Sequence, residues 1–111
     1  MKNCFIFSGQ GSHRPGMSLN LYNTFQIAKD RIELSNKILG YDISEIMFSA
    51  EENVLRQTQY AQPAIFIHST ILFDLIKDQK ECAAVAGHSL GELSALYANN
   101  FFDFETGLKI V

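Results

Sequence analysis

The strongest chemical signal in this chain of 111 residues is a serine between two glycines. The segment Gly87–Gly91 has the sequence GHSLG and follows the apolar run 82–86, which predicts a buried strand. The residues after it, 92–98, are mostly good helix formers. A strand, a sharp turn and a helix form the context of a Gly-x-Ser-x-Gly nucleophile elbow. The pattern predicts Ser89 as a nucleophile, with both flanking glycines letting the two backbones pass closely.

A helix that starts at Ser89 would direct its unpaired N–H groups toward the atom that the hydroxyl attacks. The N–H of Leu90 is therefore a candidate donor of an oxyanion hole. A plainer interpretation stays open at this point. In it the segment is a tight turn whose glycines serve packing, and Ser89 only caps the helix.

A second glycine-rich segment follows the first apolar run of the chain. Residues 4–7 predict a short strand, and the sequence SGQGS begins at Ser8. The exposed N–H groups of such a turn suit an anion. The segment lacks the lysine of a phosphate-binding loop and the glycine spacing of a dinucleotide site. Its better use is the second half of an oxyanion hole, and the alternative is an ordinary turn.

Three segments in this order resemble the signatures of malonyl-CoA:acyl carrier protein transacylases, the stand-alone acyltransferases of bacterial fatty acid synthesis, which have relatives inside polyketide synthases. They are FSGQGS from Phe7, QPA from Gln62 and GHSLGELSAL from Gly87. The resemblance extends over all 111 residues. Two positions depart from the family pattern, since Ser8 stands where proline is common and His13 where glutamine is common. Neither change removes a backbone donor.

The resemblance implies a role for each matching residue. Ser89 would take the malonyl group from malonyl-CoA and pass it to the phosphopantetheine thiol of an acyl carrier protein. The N–H groups of Gln10 and Leu90 would form the oxyanion hole. Gln62 would lie near the acyl pocket, and His88 would support the elbow, as would the flanking glycines. The resemblance implies malonyl-CoA as substrate, with no cofactor and no metal.

The resemblance also implies that two catalytic parts lie further along the chain than Val111: the histidine that acts as base and the arginine that binds the malonyl carboxylate. We therefore expect residues 1–111 to be the N-terminal part of a transacylase domain, cut after the elbow and incomplete by itself. A complementary C-terminal fragment would supply the rest. His13 and His68 match neither part, and His68, in an apolar stretch, is expected to be a partly buried helix residue.

Composition limits the classes of function. A hydrophobic content of 47% and a charged content of 19% are typical of a globular domain. The net charge of −3 and the absence of a basic run disfavour nucleic acid as a partner. The sequence contains no apolar run long enough for a membrane span and no signal-peptide pattern, so the expected location is the cytoplasm. Two cysteines match no metal or disulfide framework.

The predicted fold class is α/β: a partial acyltransferase domain of α/β-hydrolase-like type, helix-rich with a short parallel sheet. Its strands are residues 3–7 and 82–86. The predicted helices cover 23–39 before Gly40, 43–48 behind Asp42, a turn at 51–57, 63–77 from Pro63, the elbow helix, and a last helix behind Asp103.

Two other functions remain open at this stage. One is a different serine acyl hydrolase, such as an esterase, although its elbow usually follows more than one strand. The other is a non-catalytic remnant or a fragment that binds carrier protein or coenzyme A. Hydrolysis of small activated esters distinguishes them, because an esterase cleaves such esters and a remnant does not.

Overall fold

The computed structural model describes residues 3–7, 16–49, 51–76, 82–87, 94, 97–98 and 103–111. Helices dominate this part of the chain, as predicted, and Ser94, Tyr97 and Ala98 are also helical. The elements in chain order are β1 (Asn3–Phe7), α1 (Leu19–Thr24), α2 (Gln26–Leu39), α3 (Ile43–Ser49), α4 (Glu52–Leu55), α5 (Thr58–Ile76), β2 (Cys82–Gly87) and α6 (Phe104–Ile110).

The strands β1 and β2 pair in parallel, although five of the described helices lie between them along the chain. The register places Phe7 opposite Gly87, with an irregularity between Asn3 and Cys4 at the other end. Both strands therefore end at the same edge of the pair.

Helix α5 lies at the centre of the core. Its side chains are almost completely buried from Ala61 to Ile67, apart from the half-buried Gln62, because the neighbouring helices cover it on several sides. The buried apolar residues that the other helices contribute are Ala28, Ile32, Ile43, Met47, Leu55, Phe104 and Leu108. Within the described part of the chain, no helix is long and apolar enough to cross a membrane.

The predicted start of α5 at Pro63 is wrong, because the helix begins five residues earlier, at Thr58. Proline inside a helix removes the N–H that would bond the carbonyl four residues before it. That carbonyl belongs to Gln59, and the hydroxyl of Tyr41 donates to it at 3.5 Å. A long contact from outside the helix thus reaches the carbonyl that loses its helical partner at the proline.

The single helix predicted from Asn23 to Leu39 is also wrong at its start. Two helices, α1 and α2, meet at Phe25, whose backbone is extended (φ −119°, ψ 129°). The N–H of Phe25 donates to the Leu21 carbonyl at 2.9 Å, and its own carbonyl accepts from Lys29 at 3.2 Å. One residue therefore ends the first helix and starts the second, so the break needs neither glycine nor proline.

The predicted helix boundaries that depend on local signals are confirmed. Gly40 ends α2 in the left-handed conformation, with φ 79°. An Asp42 carboxylate oxygen accepts the N–H of Glu45 at 3.2 Å, at the start of α3. At the start of α6, Asp103 accepts the N–H of Thr106 at 2.8 Å.

Candidate functional site

The two glycine-rich segments begin at paired strand ends. Phe7 and Gly87 are register partners, and neighbouring strands lie about 4.8 Å apart. In the sequence, Gln10 comes three residues after Phe7, and Ser89 comes two residues after Gly87. The segments that carry the predicted nucleophile and the predicted oxyanion donor therefore leave the strands side by side.

Most of the predicted site residues lie outside the described part of the chain. They are Gln10, His88, Ser89, Leu90 and Gly91. Their roles stay predictions. Two predicted site residues are described: Gly87 is the last residue of β2, and Gln62 is half-buried on α5, directly before Pro63.

A neutral hydrogen bond joins the turn before α1 to the middle of α5. The hydroxyl of Ser18 lies 2.6 Å from Nδ1 of His68. Ser18 is only 5% exposed and has a left-handed backbone (φ 67°), which is uncommon for a residue other than glycine. His68 is half-buried, as predicted, and this burial lowers its pKa below the usual range. His68 is thus mainly neutral at neutral pH.

A buried charged cluster joins three helical segments, and no motif in the sequence predicts it. It consists of Arg31 on α2, Asp74 on α5 and Tyr97. One carboxylate oxygen of Asp74 accepts from the guanidinium Nη2 of Arg31 and also from the hydroxyl of Tyr97, the latter at 2.6 Å. The Arg31 and Asp74 side chains are 12% and 4% exposed. We call these three residues the Arg31–Asp74–Tyr97 cluster.

Aromatic rings enclose this cluster. The guanidinium carbon of Arg31 lies 4.7 Å from the ring centroid of Phe104 and 5.7 Å from that of Tyr97, within the range of cation–π attraction. The ring of Phe66 stacks on that of Phe104, with centroids 5.7 Å apart. Burial, followed by the hydrogen bond to Asp74, raises the pKa of Tyr97 to about 12. Tyr97 therefore remains a neutral donor across the physiological pH range.

A sequence signal for the cluster did exist. Asp74 is the one charged residue in the apolar run 71–76 (ILFDLI). A carboxylate is almost never fully buried without a partner, so its position indicates a buried cation or donor elsewhere. The sequence does not say that the partners are Arg31 and Tyr97. Among the described residues, no group of three histidine, cysteine, aspartate or glutamate side chains could hold a metal ion.

Comparison with known proteins identifies the family. The model of the acyl transferase domain family matches residues 4–111. The chain belongs to this family. It is 44% identical over 112 residues to the malonyl CoA-acyl carrier protein transacylase of Synechocystis sp., covering 100% of this chain and 38% of that protein. The crystal structure of the Synechocystis malonyl-CoA:ACP transacylase matches with a TM-score of 0.92 and 43% identity, over 99% of this chain and 37% of that one.

Other transacylases match to a similar extent. The polyketide biosynthesis malonyl CoA-acyl carrier protein transacylase PksC of Bacillus subtilis is 38% identical over 96% of this chain and 37% of its own length. A solved complex of a malonyl-transacylase with a type II polyketide acyl-carrier protein, PlMCAT:AntF, matches with a TM-score of 0.92 and 29% identity over 99% of this chain and 36% of that one. The predicted resemblance to these transacylases is confirmed, and the chain spans under two fifths of their length.

Proposed function

We propose that the enzyme carrying this segment transfers a malonyl group from malonyl-CoA to the thiol of an acyl carrier protein through an ester on Ser89. One observation carries the proposal: the chain is 44% identical, over its whole length, to a named transacylase. The pairing of Phe7 with Gly87 supports it, because the two predicted halves of the site leave from neighbouring strand ends.

In the first half-reaction, the hydroxyl oxygen of Ser89 attacks the thioester carbonyl carbon of malonyl-CoA while a base takes the hydroxyl proton. The N–H groups of Gln10 and Leu90 stabilise the negative oxygen of the tetrahedral intermediate. The carbon–sulfur bond then breaks. Coenzyme A leaves as a thiol after it receives the proton from the protonated base, and malonyl-Ser89 remains.

In the second half-reaction, the phosphopantetheine thiol of the carrier protein gives its proton to the base and attacks the ester carbonyl. The same two N–H donors stabilise the second oxyanion. The bond between the carbonyl carbon and the Ser89 oxygen breaks, and the serine regains the proton. The malonyl group leaves as a carrier-protein thioester, with the base and Ser89 restored.

His68 is not the base in this proposal. Its Nδ1 forms a hydrogen bond with the hydroxyl of Ser18, and its ring is half-buried on α5. The family resemblance assigns the base to a histidine further along than Val111, and it assigns the carboxylate-binding arginine there too. The Synechocystis relative, of which this chain covers 38%, has ample length for both. We propose that the remainder of the enzyme supplies them.

We further infer that β1 and β2 belong to the short parallel sheet of an α/β-hydrolase-like acyltransferase domain. Their parallel pairing supports this inference. Parallel strands are normally covered on both faces and have further neighbours, so a pair of them is expected to be part of a larger sheet. The rest of the domain would add those strands.

The carrier protein that we propose is the one of fatty acid synthesis, which the family resemblance implies. The Synechocystis transacylase, whose name specifies no pathway, is 44% identical to the chain, and two polyketide biosynthesis proteins are 42% and 38% identical. The margin is small, so the carrier protein of a polyketide synthase is the alternative. Comparison of kcat/KM with each carrier protein decides between them, and a higher value with the polyketide carrier would overturn our choice.

The test of the acyl-serine step uses a chimera in which residues 1–111 replace the matching segment of the Synechocystis enzyme. We expect malonyl-CoA to add one malonyl group, measured by intact-protein mass, and we expect Ser89→Ala to abolish this addition. The matched control is Ser49→Ala, which changes an exposed serine on α3 and should leave the addition unchanged. Malonylation that persists in Ser89→Ala, or its absence from the unmodified chimera, would overturn the proposal.

A further inference from the structure

The Arg31–Asp74–Tyr97 cluster has a geometry suited to positioning the nucleophile. We propose that Tyr97 is a positioning residue, whose hydrogen bond to Asp74 fixes the helix after the GHSLG motif against α5. This proposal rests on the proposed function, because it assumes that Ser89 reacts. The sequence predicts one helix from Ser89 to Ala98, and the described residues Ser94, Tyr97 and Ala98 are helical.

Three contacts attach Tyr97 to α5. Its hydroxyl donates to the Asp74 carboxylate at 2.6 Å. Its ring packs edge-to-face against two α5 rings, those of Phe66 and Phe73, with centroids 6.2 and 6.4 Å away. The rings limit sideways movement of this segment, and the hydroxyl bond fixes the far end of the Tyr97 side chain, because its oxygen must stay within hydrogen-bond distance of the carboxylate.

The acceptor is itself held in place. The Asp74 oxygen that accepts from Tyr97 also accepts from Arg31 of α2, and the Arg31 guanidinium lies against the ring of Phe104 of α6. The Asp74 side chain is 4% exposed, so water competes little for its oxygen. A fixed acceptor is what allows one hydroxyl to set the position of a helix.

The position of Tyr97 matters for Ser89 because the two are eight residues apart on one predicted helix, a distance of about 12 Å along the axis. A rotation or shift at Tyr97 would therefore move Ser89 as well. Helix α5 also carries Gln62, the predicted acyl-pocket residue, so the cluster aligns two parts of the proposed site. A misplacement of about 1 Å in an active site can lower the rate on the order of 100-fold.

The first test is Tyr97→Phe in the chimera of residues 1–111 with the Synechocystis enzyme. This change removes one oxygen and retains the ring contacts. We expect kcat for malonyl transfer to fall on the order of tenfold, with KM for malonyl-CoA unchanged, because substrate binding does not involve Tyr97. The matched control is Tyr22→Phe, which removes an exposed hydroxyl that donates to Glu33 at 3.1 Å and should leave kcat unchanged.

A purely structural role predicts a different result. Ile32→Val shortens a fully buried side chain of α2, directly after Arg31 in the sequence, without removing any polar group of the cluster. Under our proposal, Tyr97→Phe lowers kcat well below that of Ile32→Val, even though both variants lower the melting temperature. Equal kcat values for the two variants would overturn the positioning role.

A double variant tests the route through Asp74. If Tyr97 acts through that carboxylate, Tyr97→Phe should lower kcat little further in the background of Asp74→Ala, which removes the acceptor. A further tenfold loss of kcat in the double variant would contradict the proposal. If Asp74→Ala does not fold, the comparison of Tyr97→Phe with Tyr22→Phe and Ile32→Val still decides. Absence of malonylation in the unmodified chimera refutes the proposed function, whereas normal kcat in Tyr97→Phe refutes only the positioning role.

Discussion

Two of the described side-chain contacts between α5 and earlier parts of the chain differ in charge and burial. Ser18 and His68 form a neutral pair in which the histidine is half-buried. Arg31 and Asp74 form an ion pair with side chains 12% and 4% exposed. Removal of one partner leaves an unpaired hydrogen-bonding atom in the first case and an unpaired buried charge in the second. We therefore expect loss of the Ser18–His68 contact to destabilise the protein less than loss of the Arg31–Asp74 contact.

The largest effect is expected from removing the carboxylate of the buried pair. Asp74→Ala leaves the Arg31 guanidinium without its counter-charge, and breaking a buried ion pair in this way costs about 3–5 kcal/mol. The Nη1 atom of Arg31 is already buried without a hydrogen-bond partner in the described part of the chain, so the loss of Asp74 would add a second unpaired polar group to a buried charge. The measurement is the free energy of unfolding in urea, with the chimera as host.

The control for that experiment is Asp30→Ala on the exposed face of α2. Among the described hydrogen bonds, the Asp30 carboxylate accepts only from Gln26, at 2.7 Å. This substitution should change the free energy of unfolding by no more than about 0.5 kcal/mol. If Asp74→Ala lowers the free energy of unfolding by less than about 1 kcal/mol, the Arg31–Asp74 pair is no more important for stability than the Ser18–His68 pair, which contradicts the expectation from burial.

An intermediate effect is expected at Ser18. Ser18→Ala removes the hydroxyl that bonds with His68, and it leaves a residue with a Cβ atom in the left-handed conformation at φ 67°. It should therefore lower the free energy of unfolding by about 1–2 kcal/mol. Ser18→Gly loses the same hydrogen bond but relieves the left-handed strain, so it should be more stable than Ser18→Ala by about 1 kcal/mol. Thermal melting of both variants checks the order. Equal stability would mean that the backbone at residue 18 is not strained.

The smallest effect is expected from pH. Burial lowers the pKa of His68 below its usual 6.5, so the unfolded chain binds the proton first as the pH falls. The stability due to neutral His68 is complete above pH 6.5 and is lost as the pH falls through the folded-state pKa. The measurement is unfolding free energy against pH, compared with His68→Asn, which keeps an acceptor for Ser18. If the unfolding free energy of the unmodified protein and that of His68→Asn depend on pH in the same way, His68 is not the group responsible.

What the sequence predicts correctly depends on the range of the interactions involved. The boundaries at Gly40, Asp42 and Asp103 follow from bonds within a few residues, and all three were predictable. The start of α5 was not, because proline is tolerated both in the first turn and further inside a helix, and the packing of the residues before Pro63 depends on other parts of the chain.

The candidate site divides in the same way. The GHSLG motif and its place after a strand could be found from residue types and spacing alone. The contact between Arg31 and Asp74 could not, since 43 positions separate the two residues and nothing local pairs them. A lone aspartate in an apolar run indicates that a partner exists, and only the fold identifies it.

The parallel pairing of β1 with β2 has a consequence for the synthesis of the protein. Phe7 and Gly87, which face each other, are 80 positions apart in the chain. At about 5–20 residues per second, a ribosome needs roughly 4–16 s after making the first strand before the second exists. During that interval β1 has an unpaired edge, and an unpaired apolar edge can pair with another chain. The nascent chain is therefore expected to be vulnerable to aggregation through β1 at least until residue 87 is made.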